Sequence, residues 1–476
     1  MGVKQVKQVK QKEQPKQKEW VRLDNASNIF LAAMSTTDTK VFRLSAEMQD
    51  KIDPISLQKA LEQTYAQYKL YHSVLRRGIF WYYLQHTEII PKVAPEVLAP
   101  CSQLYHFDQK ELLFRVIYNE DRVHLEVFHV LSDGTGALWF FEDLIKEYIL
   151  LRYPESLDVI KKEQIEAKVH HLEDSFVTYF RHNGQQTFTE SAQSALRNFA
   201  RTSKRAAFKY GEKFGRALLK DRTVPTKKRR VYRIKGEKTA DNRTKVIELE
   251  MPVKKILHLA HQEEATLTIY LIALFFESIR KSKSDFQIRD TIAISVPVNL
   301  RQFYPSNSAR NFFSTVKLEY TYTQERDPQL KEICVSLAKQ MSQQLSKESL
   351  ERRLSRLISY EYNPINRVIP RPIKDGVLKI INYSNNRNLT VAMSNLGRVA
   401  FPQSIDGYVN RLYFHTSAVR PQFSVISHGD QLTISFTSPF IDTDIQQQFV
   451  RELTSAGVEV TLAANKTQAD ELRGDF

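Results

Sequence analysis

The sequence predicts an α/β chain of two halves of about 200 residues each, and three observations predict it. Strand-like alternation and helix-like spacing follow one another along most of the chain. A basic stretch over 201–240 interrupts that pattern, which then restarts. The 476 residues are 42% hydrophobic and 11% aromatic, enough for large cores and too apolar for wholesale disorder. Gly (14) and Pro (17) are scarce, which excludes collagen-like and low-complexity architectures. The halves are assigned to 20–200 and 241–465, with tails at 1–19 and 466–476.

Residues 1–19 repeat Val-Lys-Gln and cannot bury a core, so order is expected from Trp20. Asp53 and Pro54 read as the N-cap and first position of a helix over 55–71, where Leu57, Leu61, Tyr65 and Tyr68 recur at helical spacing. The aromatic run Phe80 to Leu84 reads as a strand, more often core than ligand site, and 112–118 as another. In 121–130, Val123, Leu125, Val127 and His129 alternate onto one face, with Arg122, His124, Glu126 and Phe128 on the other. The turn Ser132-Asp133-Gly134-Thr135-Gly136 follows, then a helix over 137–151. Residues 190–222 carry Leu196, Phe199, Tyr210, Phe214 and Leu218 at helical spacing between basic residues. The second half restarts with a strand at 244–249 and helices over 253–262 and after Thr266. A strand at 291–298 and a helix at 328–346 come next. Strands at 389–393, 411–416, 423–427 and 431–437, a helix after Asp444 and a strand at 458–463 close the chain.

The net charge of +15 is local. Residues 4–19 carry +4 and residues 201–238 carry +12, so the remainder is nearly neutral. A nucleic-acid-binding domain is not expected, because no recognised binding motif accompanies the charge. The segment 201–238 fits a solvated crossover, an amphipathic helix on an anionic membrane surface, or an element that steers anions. The longest apolar stretch, Ala265 to Phe276, is too short for the roughly 20 residues of a membrane span. No secretory signal is read at the N-terminus, and Lys7 argues against myristoylation. Cys101 and Cys334 stand far apart, which excludes a disulfide scaffold and a cysteine-ligated zinc site. The expected location is the cytoplasm, with peripheral contact at a membrane as the variant.

The chemistry points to His129-Val-Leu-Ser-Asp133-Gly134, a His-x-x-x-Asp-Gly motif at a strand end before a helix. A neutral imidazole there can take a proton at physiological pH, since its ordinary pKa is about 6.5. A structural, hydrogen-bonded histidine is the competing reading of His129 taken alone. His72, His86, His106 and His124 read as surface or packing residues. No His/Asp/Glu cluster has metal spacing, and no Walker or Rossmann glycine pattern occurs.

This motif resembles that of the CoA-dependent acyltransferase superfamily, which includes chloramphenicol acetyltransferase, condensation domains and wax ester synthases. Further elements agree in order. Asp53-Pro54-x-x-Leu57-x-x-Ala60-Leu61 resembles the first helix of such enzymes. Gly78-x-Phe80-Trp81-Tyr82-Tyr83-Leu84 and Val296-Pro297-Val298-Asn299-Leu300-Arg301, with Asn311-Phe312-Phe313 downstream, are similar to alcohol-acetyltransferase-like members. Ser394-Asn395-Leu396-Gly397 resembles their C-terminal motif. The resemblance covers about 20–465. Phe128 stands where condensation domains carry a second histidine, and the Asp-Phe-Gly-Trp-Gly motif of plant members is missing.

The resemblance implies two chloramphenicol-acetyltransferase-like halves packed face to face as a monomer, with a channel between them. His129 would act in that channel as general base on an acceptor hydroxyl attacking acyl-CoA, a co-substrate rather than a resident cofactor. No covalent acyl-enzyme and no metal would be needed. Asp133 would pair with Arg301 and hold the loop, and Gly134 and Gly136 would permit a tight turn and close backbone approach. Ser394 and Asn395 are candidates for binding the oxyanion or substrate, with an ordinary turn as the nearly equal competing reading. The alternatives are an amine, sugar or lipid-linked acceptor at the membrane surface, a carrier-protein thioester as donor, or a ligand-binding member without turnover.

Overall fold

A computed structural model of the chain describes residues 20–154, 175–180, 230–239, 241–323, 328–362 and 370–467. The tail 1–19, the helical pattern over 190–222 and the basic segment up to residue 229 lie outside the described residues. The first half contains β1 (Trp20–Arg22), α1 (Asn25–Ala33), β2 (Val41–Met48), α2 (Pro54–Gln67), β3 (Ser73–Arg77) and β4 (Tyr82–His86). β5 (Val93–Pro95), β6 (Phe114–Asn119), β7 (Arg122–Phe128), α3 (Gly134–Arg152) and α4 (Ser175–Phe180) follow. The second half contains β8 (Lys245–Pro252), α5 (Val253–Gln262), α6 (Leu267–Ser282), β9 (Thr291–Asn299), β10 (Phe313–Thr321), α7 (Leu330–Leu345) and α8 (Lys347–Tyr362). It continues through α9 (Arg371–Arg387), β11 (Val391–Val399), α10 (Gln403–Asp406), β12 (Val409–Thr416), β13 (Gln422–His428), β14 (Gln431–Ser438), α11 (Asp444–Ser455) and β15 (Thr461–Ala464).

Local chemistry explains several boundaries. The Asp53 carboxylate accepts from Ser56 N at 3.0 Å, and Pro54 opens α2 with its φ already helical. Thr266 caps α6. That helix is buried along one continuous run from Ile269 to Ile279, so the longest apolar stretch is a core helix. No described helix is long and apolar enough to cross a membrane.

Two large sheets carry the halves. The first has the order β12-β2-β7-β6-β5, antiparallel except for the β5–β6 pair. The second has the order β10-β9-β11-β13-β14-β8-β15, with parallel pairs β9–β11 and β11–β13. A small antiparallel sheet, β1-β4-β3, stands apart.

The chain does not divide as cleanly as the sequence predicts. β12 belongs by sequence to the second half, yet it pairs with β2 of the first, with Phe414 opposite Leu44. Leu412 and Phe414 complete the first half's core, which a four-stranded sheet would leave open at that edge. Residues 230–239, expected in the linker, lie against the second half instead. Val231 bridges Thr291, and the buried Tyr232 donates to Asp285 at 2.6 Å. An aromatic ring that can be buried outweighs the cations beside it.

The polar faces of the two sheets meet. Arg122 of β7 donates to Glu248 of β8 at 2.8 Å and to Glu47 of β2 at 2.9 Å. His415 of β12 lies 2.8 Å from Glu248, and Tyr413 donates to Glu250 at 2.7 Å. These buried charges are paired across the two halves, as buried charges must be.

Candidate active site

His129 follows the last residue of β7, and its N–H donates to Lys40 O at 2.8 Å. The half-buried ring stacks on Phe30 of α1 at 4.1 Å and meets the edge of Phe42 at 5.0 Å. Phe313, the first residue of β10, stands 5.8 Å away. Three aromatic rings from both halves thus surround the imidazole.

Asn311 supplies the polar contact. Its Oδ1 lies 3.2 Å from His129 Nδ1. Its Nδ2 donates to His129 O at 3.0 Å and to Ser27 Oγ at 3.1 Å, which fixes the amide's orientation. The oxygen facing the ring can only accept, so Nδ1 carries the proton and Nε2 keeps a lone pair. Burial holds the ring below its ordinary pKa of 6.5, while Asp133 and Asn311 oppose that shift. Burial thus favours the neutral imidazole over the imidazolium. In the sequence Asn311 stands only as part of Asn311-Phe312-Phe313, with no role attached. Its partner is 182 residues away, and nothing local signals such a contact.

Asp133 caps α3 through Gly136 N at 2.8 Å. Its other oxygen accepts from Arg301 Nη1 at 2.7 Å and from Phe312 N at 2.8 Å. Both side chains are 6% exposed. Arg301 also donates to Ser308 O and Arg310 O, each at 2.7 Å. Ser132 Oγ donates to Ala309 O at 2.6 Å. The motif loop of one half thus grips the 308–312 loop of the other, and that loop delivers Asn311 to His129.

Of the two roles expected of the glycines, a tight turn and close approach, the structure shows the second. Gly134 is already the first residue of α3, and neither it nor Gly136 has a positive φ, so no glycine-only turn is needed. What they permit is close approach. A Cβ on Gly136 would stand 2.2 Å from Ala309 O, and one on Gly134 would stand 2.8 Å from Leu396 Cδ2.

Ser394 and Asn395 lie in β11, not in a free turn. Asn395 Nδ2 donates to Thr268 Oγ1 at 2.9 Å, and its Oδ1 accepts from Gly397 N at 2.7 Å across a bulge. Its amide is thereby committed to shaping the strand. Leu396, next in the chain, packs on Gly134, which brings this bulge against the motif helix. His124 is buried and bonded to Ser45 Oγ at 2.7 Å. Among the described residues no group of three His, Cys, Asp or Glu could hold a metal ion.

Solved structures share this architecture. The chain is similar to polyketide synthase associated protein 5 from Mycobacterium tuberculosis, at 11% identity, covering 91% of this chain and 97% of that one, with a TM-score of 0.55. It is similar to trichothecene 15-O-acetyltransferase from Fusarium sporotrichioides, at 9% identity, 92% and 94% coverage and a TM-score of 0.58. It is also similar to the first condensation domain of the calcium-dependent antibiotic synthetase, at 14% identity, 92% and 96% coverage and a TM-score of 0.55. The fold is shared with these acetyltransferase and condensation-domain structures. The family model described as alcohol acetyltransferase matches residues 108–454, and the chain belongs to that family. No curated protein matches the sequence. Membership supports an acyltransferase that takes an acyl donor and a hydroxyl acceptor.

Proposed function

We propose that the protein moves an acyl group from acyl-CoA to the hydroxyl of an alcohol, with His129 as general base. The observation that carries this reading is the state of the ring. Nδ1 is engaged by Asn311, burial disfavours the imidazolium, and Nε2 keeps its lone pair. On this reading Nε2 takes the hydroxyl proton while the acceptor oxygen bonds to the thioester carbonyl carbon. The carbonyl pair moves onto oxygen, and its return breaks the C–S bond. The imidazolium then gives its proton to the departing thiolate. Such a base contributes about 10²–10⁴ in rate. A donor to the transient oxyanion is worth about 10²–10³, and Ser394 remains the side chain proposed for it.

Two buried cysteines, both with thiols pushed up by burial, suit a route with no acyl-enzyme on sulfur. The reading places donor and acceptor in a channel between the halves of a cytoplasmic monomer. Acyl-CoA is the proposed donor, in preference to a carrier-protein thioester.

The test uses purified protein, acetyl-CoA and a panel of alcohols, with an amine and a sugar as alternative acceptors. Thiol release is followed. Release that requires an alcohol and disappears in His129→Ala is the expected result. Undiminished release in His129→Ala overturns the mechanism.

A further inference from the structure

The exposed face of α9 has an unusual composition. α9 turns Ile373, Ile380 and Tyr383 to solvent, at 39%, 63% and 63% exposure. Their spacing of seven and three residues puts them on one face. A surface helix ordinarily turns such a stripe toward the core. Here Lys379 and Arg387, both exposed, stand on the same face, with the Arg387 guanidinium 5.6 Å over the Tyr383 ring.

The patch continues beyond the helix. Arg371 N–H donates to Ile79 O at 3.1 Å, and Lys374 Nζ donates to Phe80 O at 3.2 Å. The β3–β4 loop is thus fastened beside α9, presenting Ile79 at 77% exposure and Phe80 at 41%. Trp20, 67% exposed, borders the same loop across a groove of about 780 Å³. α9 carries four cations and one acid, Asp375, which Tyr82 already engages at 2.9 Å.

We propose that this face, built of α9 and the β3–β4 loop, docks the protein on a lipid surface bearing anionic headgroups. Ile380, Ile373 and Ile79 enter the acyl boundary. Trp20 and Tyr383 sit at headgroup depth, where amphipathic rings collect. Lys379 and Arg387 reach the phosphates with their stems along the apolar layer. A second copy of the chain is the poorer occupant, since a self-complementary contact would set these cations against their own copies. A nucleic acid gains nothing from an aliphatic centre. The proposal stands apart from the reaction proposed for His129.

The test floats the full chain with phosphatidylcholine vesicles, with and without phosphatidylserine. The parent protein is expected to float with phosphatidylserine and to lose tryptophan fluorescence when the acyl chains carry bromine. The double variant Ile380→Glu/Tyr383→Glu, both sites exposed, should keep its melting temperature and lose the bromine quenching. Lys379→Ala with Arg387→Ala should weaken partitioning by about fivefold per cation, and Lys254→Ala, exposed elsewhere, should not. Vesicle adsorption without quenching, or quenching equal in the parent and the glutamate variant, overturns the proposal. So does a change in solution mass between those two proteins, which would assign the face to self-association.

Discussion

Asn311 Oδ1 stands 3.2 Å from His129 Nδ1, joining a loop of the second half to the strand end of the first. The amide's other contacts leave it no choice of orientation. The proton on the imidazole is therefore placed by a residue that never needs to meet a substrate.

Replacing Asn311 should change kcat more than KM. Asn311→Leu removes the acceptor and is expected to lower kcat by about tenfold, the worth of one oriented hydrogen bond. Asn311→Asp puts a carboxylate beside the ring and favours the imidazolium. The acid limb of the pH–rate profile should then move upward, because a raised histidine pKa needs higher pH for the neutral base. A purely structural Asn311 would leave that limb in place.

In the parent enzyme, burial keeps the His129 pKa below 6.5. Activity should therefore hold as pH falls through neutrality and decline only on the acid side of that value. His129→Ala is expected to lose about 10²–10⁴ in kcat with little change in melting temperature, since the ring is half-buried.

Asp133→Ala removes the partner of a buried guanidinium and the acceptor of two backbone N–H groups, one of them the cap of α3. The expected loss is about 3–5 kcal/mol of folding stability, read as a lower denaturant midpoint. Activity should fall with it, because the Asn311 loop loses its grip. Asp133→Asn, which keeps the shape, should lose less.

Two glycines should respond in opposite senses. Gly136→Ala brings a Cβ to 2.2 Å from the Ala309 carbonyl, and overpacking of this kind costs about 1–3 kcal/mol. Gly376, within α9, has nothing within 4 Å of the same position. Gly376→Ala should add about 0.5–1 kcal/mol through the helix preference alone. Thermal unfolding of both variants measures the pair.

The brace between the sheets predicts an acid transition. Burial alone would raise the Glu248 pKa, but His415 and Arg122 outweigh it and hold the group at about 2. A depressed carboxylate contributes stability above its unfolded value near 4.5 and loses it as pH falls toward 2. Unfolding stability should fall across that window, and Glu248→Gln should flatten the fall.

Much of the fold was legible because short-range rules govern it. The Asp53-Pro54 cap, the alternation in β7 and the run of α6 are each set by residues within a few positions of one another. His129, Asp133 and Arg301 are legible because residues at fixed spacing resemble a family pattern, and Asp133 and Arg301 meet at 2.7 Å. Close approach at Gly134 and Gly136 is legible from the residue type, but that Ala309 and Leu396 are what approaches them is not. Nothing in their own neighbourhood foretells what will approach them.

By itself, then, the sequence determined which segments bury an apolar face, where helices start, and which residues carry the motif. Only the tertiary structure decided that β12 crosses into the other half's sheet, that Glu248 braces the two sheets, and that Asn311 orients His129. The physical reason is range. Periodicity and capping are interactions between chain neighbours, written wherever those neighbours are. Pairings across 182 or 370 residues exist only once packing has chosen which surfaces meet.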